Sequence, residues 1–246
     1  MQHRSKKIKK SFLIILVVLI VLSGGSAIYL GNYYHSVDVE KYMNGSSEVS
    51  VEKFDKGWFF DGAGEEKALI FYPGAKVATE AYAPLMYQLA ENGVDCFLVD
   101  MPFHMAFFGM NRAEEIMQKY NYEAWYLGGH SLGGAMAANF AADYVEDHTD
   151  GIRGLLLLAA YPTKDLSTSD MSVVTVYGSE DGVLNMDKIV AGRELMPQDY
   201  KEVCIEGGNH AQFGSYGAQK GDGTAAFPAE EQWTRTVEVF VGDESE

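Results

Sequence analysis

Short apolar segments alternate with segments of helical periodicity along most of the chain. Runs of β-branched and aromatic residues predict eight strands, at residues 49–54, 58–61, 68–72, 94–99, 124–127, 152–160, 173–177 and 202–205. Apolar positions three or four residues apart predict helices, at residues 79–92, 112–120, 135–145, 189–195 and 230–241. The first two strands form a predicted hairpin, and the later alternation of strands and helices indicates a mainly parallel sheet. We therefore predict an α/β domain with helices on both faces of the sheet.

The amino-terminal end follows a different pattern. Residues 1–10 form a basic tail, and residues 11–34 contain no charged side chain. As a helix, residues 12–30 would be about 28 Å long, close to the thickness of the hydrocarbon core of a bilayer. Basic residues before an apolar span favour a cytoplasmic amino terminus. We therefore predict a transmembrane anchor, with the rest of the chain outside the cytoplasm.

A cleaved signal peptide is the alternative for the same segment. Residues 12–22 would then form its apolar centre, and the small residues Gly25 and Ala27 would precede the cut. The remaining chain would be secreted instead of anchored. Residues 35–48 are polar and are predicted to form a linker, which leaves residues 49–246 as the globular domain.

The charge and the cysteine content exclude some classes of protein. The basic tail holds five of the 19 basic residues and no acid, so the rest of the chain has 14 basic and 35 acidic residues, a net charge of −21. Such an acidic body repels phosphate backbones, and we expect no nucleic acid partner. Two cysteines are too few for a disulfide scaffold or a four-cysteine zinc site. Because Cys96 and Cys204 lie in separate predicted strands, two buried free thiols are favoured over a disulfide.

A serine motif lies between a predicted strand and a predicted helix. Gly129-His-Ser-Leu-Gly133 has the pattern G-x-S-x-G. A sharp strand-to-helix turn would hold the serine hydroxyl above the edge of the sheet, and side chains at the two glycines would collide across that turn. The amino terminus of the helix also favours negative charge that develops nearby. A glycine-rich turn with a capping serine is the alternative.

Two further segments support the first interpretation, and with them the chain resembles the alpha/beta hydrolases. Phe71-Tyr-Pro-Gly-Ala-Lys-Val77 is similar to an oxyanion loop, and residues 99–108 are similar to the apolar loop after the next strand, both as in the compact bacterial fold-5 group. The resemblance covers roughly residues 49–241. It implies an α/β-hydrolase fold with a minimal cap and a nucleophile at Ser131.

The resemblance implies the other site residues as well, because the family order is serine, acid, histidine. Asp181 follows a predicted strand and a turn, and His210 follows the last strand. The backbone N–H groups of Leu132 and Ala75 would form the oxyanion hole. An ordinary Asp-Gly turn is the alternative at Asp181, with Glu180 as the adjacent fallback acid. Of the six histidines, His210 alone has both this order and this context.

The resemblance further implies a serine hydrolase that needs no cofactor and no metal. Residues 161–172 are too few to hold a large lid, so we expect an open site. The apolar loop would bind an acyl group through Met101, Phe103, His104 and Phe107, with core packing as the alternative role. We expect a small-molecule substrate, a neutral carboxylic ester of short to medium acyl chain. The acidic body disfavours anionic substrates weakly.

Three other functions stay open at this point. A thioesterase, amidase or acyltransferase would use the same three side chains, since fold and triad do not separate these reactions. A hydrolase-fold binding protein would have no activity at all. In the third case the protein acts at a membrane surface, and residues 1–30 are its functional part.

Overall fold

Eight strands form one sheet in the described part of this structure, a computed structural model. The described residues are 30–148 and 151–242, with four isolated positions before residue 30. The strands are β1 (Ser50–Phe54), β2 (Gly57–Asp61), β3 (Lys67–Tyr72), β4 (Asp95–Val99), β5 (Ala124–His130), β6 (Ile152–Leu158), β7 (Ser172–Gly178) and β8 (Tyr200–Ile205). Each of them overlaps one of the eight predicted strands.

Six α-helices lie in the described residues from Tyr34 onward. They are α1 (Glu40–Met43), α2 (Ala83–Glu91), α3 (Arg112–Lys119), α4 (Leu132–Asp147), α5 (Met186–Gly192) and α6 (Ala229–Gly242). Short 3-10 helices lie at Thr79–Tyr82, Pro102–His104, Ala106–Phe108, Arg193–Leu195 and Ala211–Phe213. Helices α2 to α6 overlap the five segments with predicted helical periodicity, whereas α1 was not predicted.

The order of the strands across the sheet is β1-β2-β4-β3-β5-β6-β7-β8. The six strands from β3 to β8 are parallel, and β1 and β2 form an antiparallel hairpin whose second strand pairs with β4. The carboxyl ends of the parallel strands therefore lie at one edge of the sheet, where ligands bind in open α/β folds. The predicted mainly parallel sheet is confirmed.

Two apolar cores cover the two faces of the sheet. In β3, Leu69 and Phe71 enter one core together with residues of α2 and α6. The alternate residues Ile70 and Tyr72 enter the other core with residues of α3 and α4. All four side chains are fully buried. The continuous apolar run of β3 follows from this arrangement, because a strand covered on both faces has no polar side.

Several elements differ from their predicted bounds, and two of these differences have a clear structural reason. Strand β5 continues through the glycines to His130, because Gly129 pairs with Tyr72 on one side and with Leu157 on the other. The helix predicted at residues 79–92 begins as a 3-10 turn and becomes α-helical beside Pro84. Proline has no N–H group to donate, which suits the first turn of an α-helix.

The structure divides the chain into two units, Met1–Tyr33 and Tyr34–Glu246, and the fold above belongs to the second. Within the described residues, we find no helix with the length and apolar character that crossing a bilayer requires. The predicted basic tail at residues 1–10 and most of the predicted anchor at residues 11–34 lie outside the described residues. The anchor, the signal peptide and the extracytoplasmic location stay predictions.

Residues 35–48, predicted to form a linker, are packed onto the body of the fold. Val39 and Tyr42 of this segment are buried in the core beside α2 and α6. Tyr34, just before it, forms a parallel bridge with Val77. This packing is hard to predict, because only a few apolar residues are spread through a polar segment, and their core partners are distant in the chain.

Both cysteines are free, as predicted, but their exposure differs. Cys96 lies in β4 and is fully buried, and burial raises the pKa of its thiol. Cys204 is exposed, so the prediction that it is buried was wrong. It lies on β8, the last strand of the sheet, which has a neighbouring strand on one side only.

Candidate active site

Ser131 occupies the turn between β5 and α4. Its backbone has φ 53° and ψ −121°, a strained conformation for a residue with a side chain. A Cβ atom at Gly129 would lie 2.5 Å from the carbonyl carbon of Gly133, and one at Gly133 would lie 2.1 Å from the backbone oxygen of Tyr72. Both positions therefore require glycine. The sequence predicted this steric reason for the motif.

The hydroxyl of Ser131 is not used to cap the helix. Ser131 is the N-cap residue of α4, but its side chain makes no capping hydrogen bond. Its backbone N–H donates to the carbonyl oxygen of Leu158 at the end of β6, at 2.8 Å. Leu132 is the first residue of the helix, so its N–H has no intrahelical acceptor. The turn thus leaves one hydroxyl and one backbone donor available for a ligand.

Asp181 and His210 are in direct contact. Oδ2 of Asp181 lies 2.8 Å from Nδ1 of His210, and each side chain is 2% exposed. The other oxygen of Asp181 accepts hydrogen bonds from the N–H groups of Val183 and Leu184, at 2.9 and 2.7 Å. These bonds hold the carboxylate in one orientation. The carboxylate in turn orients the imidazole ring, so that Nε2 lies on the side of the ring away from Asp181.

Glu180, the alternative acid, does not take this position. Its side chain is exposed, and its carboxylate accepts a hydrogen bond from the hydroxyl of Ser179. Its backbone N–H donates to the carbonyl oxygen of Gly208, which fastens the turn after β7 to the loop before His210. The structure therefore places Asp181, and not Glu180, against the imidazole.

Asp222 is a residue of this site that the sequence did not reveal. Its Oδ1 accepts hydrogen bonds from the N–H groups of Gly182 and His210, at 3.1 and 3.2 Å, and its Oδ2 accepts one from Ala211 at 2.8 Å. One carboxylate thus joins the loop that carries Asp181 to the loop that carries His210. A position between two glycines was the local signal, but it does not distinguish Asp222 from any other aspartate in a turn.

The loop after β3 offers one unoccupied backbone donor beside the serine. The N–H of Gly74 donates to the hydroxyl of Tyr82 at 3.0 Å, and the N–H of Lys76 donates to the carbonyl oxygen of His104 at 2.7 Å. Between them, the N–H of Ala75 has no hydrogen-bond partner among the described residues. Because β3 is the neighbour of β5 in the sheet, this loop and the serine turn lie at the same edge.

The ring of His130, next to Ser131 in the chain, lies against His210. The two ring centroids are 4.4 Å apart. His130 is buried, and burial, together with the neighbouring His210, holds its pKa far below the ordinary value. Among the described residues, no hydrogen bond joins the hydroxyl of Ser131 to the imidazole of His210. Such contacts are often long in free enzymes and shorten when substrate binds.

The residues predicted to bind substrate lie in two environments. Met101 is 6% exposed and belongs to the core beneath the loop, so it packs inside the protein instead of lining a surface. Phe103 and Phe107 are exposed and, with Phe108, form a cluster of contacting rings. His104 is partly buried, which lowers its pKa. Its carbonyl bond to Lys76 places this apolar loop beside Ala75.

The segment between β6 and β7 contains no helix or strand that covers the site. Residues 159–171 form turns and bends only, as the sequence predicted for a chain without a large lid. Among the described residues, no group of three or more histidine, cysteine, aspartate or glutamate side chains is arranged to hold a metal ion.

Known proteins share the fold of this chain. Residues 68–234 match the model of the alpha/beta hydrolase family. No curated protein matches the sequence.

Three solved structures illustrate the likeness. Est1E from Butyrivibrio proteoclasticus is 16% identical, with a TM-score of 0.54 over 81% of this chain and 100% of that chain. An esterase from Pyrobaculum calidifontis is 13% identical, with a TM-score of 0.58 over 83% and 87%. Carboxyl esterase 2 from the fungus Tuber melanosporum is 12% identical, with a TM-score of 0.57 over 85% and 89%. With its sheet order, its strained serine turn and a family match over more than half its length, the chain belongs to the alpha/beta hydrolase family.

Proposed function

We propose that the protein is a serine hydrolase that cleaves neutral carboxylic esters of short to medium acyl chain. The contact between Asp181 and His210, at the sheet edge where the turn after β5 holds Ser131, is the observation that carries the proposal. Solved structures of the same fold named as esterases agree with it. Ester hydrolysis by this arrangement needs a nucleophile, a base and a site for an oxyanion.

In the first half of the proposed reaction, His210 acts as general base. Its Nε2 takes the proton of the Ser131 hydroxyl as the oxygen attacks the carbonyl carbon of the ester. Asp181 holds the proton on Nδ1, so that Nε2 is the basic nitrogen, and offsets the charge of the imidazolium that forms. The imidazolium then gives its proton to the leaving alcohol, and an acyl-enzyme remains.

Backbone N–H groups stabilise the oxyanion in this account. The N–H of Leu132 lies at the amino terminus of α4, where the helix dipole favours negative charge. The N–H of Ala75 is the free donor of the loop after β3. Each such donor contributes on the order of 10²-fold to 10³-fold in turnover. In the second half of the reaction, water replaces the alcohol, and His210 again acts as base.

The surroundings of the site favour an uncharged, partly apolar substrate. Asp181 and Asp222 already place two carboxylates behind the histidine, and the net charge of the whole chain is −16. The aromatic cluster of Phe103, Phe107 and Phe108 lies on the loop bonded to the proposed oxyanion loop. An acyl chain would lie against these rings and stay open to solvent at its far end, because residues 159–171 do not form a lid.

A serine-directed probe tests the proposal. A fluorophosphonate should label the full chain once, and mass spectrometry should find the label on the peptide that contains Ser131. Rates on matched ester, thioester and amide substrates then identify the bond that is cleaved. Absence of labelling, in protein that melts cooperatively, would favour a hydrolase-fold binding protein instead.

A further inference from the structure

A buried tyrosine connects the proposed oxyanion loop to the serine turn. The hydroxyl of Tyr82 accepts the N–H of Gly74 at 3.0 Å and lies 2.7 Å from Nδ1 of His130. Tyr82 is fully buried and comes from the 3-10 turn before α2, eight residues after Gly74 and 48 before His130. One hydroxyl therefore touches the residue before Ala75 and the residue before Ser131.

One arrangement of the protons leaves Nε2 of His130 as the single unpaired group in this chain of hydrogen bonds. Burial raises the pKa of Tyr82 and lowers that of His130, so both groups are neutral at pH 7. The oxygen of Tyr82 already accepts from Gly74, and its single proton has Nδ1 of His130 as an acceptor. Nδ1 is then unprotonated, and the imidazole carries its proton on Nε2.

The Tyr82 hydroxyl and Nδ1 of His130 are tightly packed. A Cβ atom at Gly74 would lie 2.8 Å from both the Tyr82 hydroxyl and Nδ1 of His130, so a larger residue would displace the loop. On its other side, the ring of His130 lies against His210. Nε2 of His130 is buried and has no hydrogen-bond partner among the described residues. Such an unsatisfied polar atom has a cost in stability, and the ring also packs against Phe213.

We propose that Tyr82 and His130 are positioning residues that orient the N–H of Ala75 toward the oxyanion. Binding of the Gly74 N–H by Tyr82 fixes the peptide planes that follow, and the bond to His130 ties this loop to the serine turn. In this proposal the pair acts through the loop and the serine turn and takes no part in making or breaking bonds. This inference rests on the proposed serine hydrolase function.

The pair should act on the transition state more than on the bound ester. Tyr82→Phe is expected to lower kcat by about 10-fold to 100-fold, a little less than loss of one oxyanion donor, with KM changed less than threefold. Affinity for phenylboronic acid, which forms a tetrahedral adduct with a reactive serine, should fall by the same factor as kcat. His130→Leu should have a similar effect, and the double variant should be no worse than either single one.

Two variants control for a loss of structure. Tyr122→Phe removes another hydroxyl, which donates to Oδ2 of Asp95 at 2.7 Å just before the amino end of β5, away from the carboxyl edge of the sheet. It should lower thermal stability as Tyr82→Phe does but leave kcat within about threefold. His130→Asn keeps an acceptor near the place of Nδ1 and should restore part of the activity that His130→Leu loses.

The wild-type protein gives a test that needs no variant to fold. Nitrogen NMR of histidine-labelled full chain should show His130 neutral at pH 7, with its proton on Nε2. A proton on Nδ1, or full activity in folded Tyr82→Phe, would overturn the inference while the wild type still hydrolyses ester. A wild type that neither hydrolyses ester nor reacts with fluorophosphonate would instead overturn the proposed function.

Discussion

Asp181 and His210 are 29 positions apart in the chain, yet Oδ2 of one lies 2.8 Å from Nδ1 of the other. The contact forms because β7 and β8 are adjacent parallel strands, so the loops that follow them leave the same edge of the sheet. Both side chains are almost completely buried. A buried acid-imidazole pair of this kind is what the proposed reaction requires of its base.

The first prediction concerns the acid. Asp181→Asn should lower kcat about 10³-fold to 10⁴-fold at neutral pH, because the amide no longer holds the imidazole proton on Nδ1. Glu180→Gln is the matched control, since it changes the adjacent and exposed carboxylate. That variant should keep kcat within about twofold. Steady-state kinetics on a p-nitrophenyl ester measures both, and equal losses in the two variants would contradict the assignment of Asp181.

Asp222 provides a second prediction. Asp222→Asn replaces one of two acceptor oxygens by an NH₂ group, which would face a backbone N–H of Gly182, His210 or Ala211. The loops should then move apart, and we expect kcat to fall by about 10-fold to 100-fold with a smaller effect on KM. Asp170→Asn, at an exposed aspartate of the 159–171 segment, is the control. Unchanged kcat in folded Asp222→Asn would show that the loops do not need this carboxylate.

The aromatic cluster predicts a dependence on acyl chain length. Phe107→Ala removes an exposed ring that contacts Phe108, and each buried methylene of an acyl chain contributes about 0.8 kcal/mol to binding. We expect kcat/KM for a hexanoate ester to fall by about 3-fold to 10-fold, with little change for the acetate. Val190→Ala, at an exposed apolar residue of α5, should alter neither rate. An equal loss on both esters would place the acyl group elsewhere.

The fourth prediction concerns the pH dependence of stability, which follows from the pKa of Glu202. Arg193 donates two hydrogen bonds to its carboxylate, at 2.7 Å each, and these bonds are the main cause that lowers the pKa of Glu202 to about 2 from its ordinary 4.5. The stabilisation is therefore complete above pH 4.5 and is lost as the pH falls toward 2. Because Arg193 is half exposed, solvent screening weakens this stabilisation.

Urea unfolding of wild type and Glu202→Gln measures this effect. The variant should have a lower free energy of unfolding at pH 7, and the difference should shrink at about pH 3, where the wild-type carboxylate is already protonated in the unfolded chain but still ionised in the folded one. Hydrolysis at pH 7 should be unchanged. A difference in stability that is constant between pH 7 and pH 3 would contradict the pKa of about 2.

Much of the fold could be predicted from local patterns in the sequence. The eight strands and the five longer helical segments overlap the observed elements, because most strands contain an apolar run and the helices have apolar positions at helical spacing. The packing of residues 35–48 was missed, since Val39 and Tyr42 are single apolar residues in a polar segment. The exposure of Cys204 was missed because an edge strand is defined by its place in the sheet, and not by its own sequence.

The candidate site was predictable only in part. Ser131 follows from a local motif with a steric reason, whereas Asp181 and His210 needed the family order to select them. Asp222 could not have been found, because its role depends on two loops that meet only in the folded protein. Tyr82 was hidden for the same reason, since its hydroxyl reaches a partner 48 residues further along the chain.

The most direct test is turnover of a p-nitrophenyl butyrate by wild type and Ser131→Ala, with melting temperature as the check of folding. The substitution leaves the backbone strain at this position unchanged, because alanine keeps the Cβ atom that makes the turn strained. We predict a folded variant with kcat reduced by about 10⁴-fold or more. Hydrolysis by folded Ser131→Ala at a rate near that of the wild type would contradict the account.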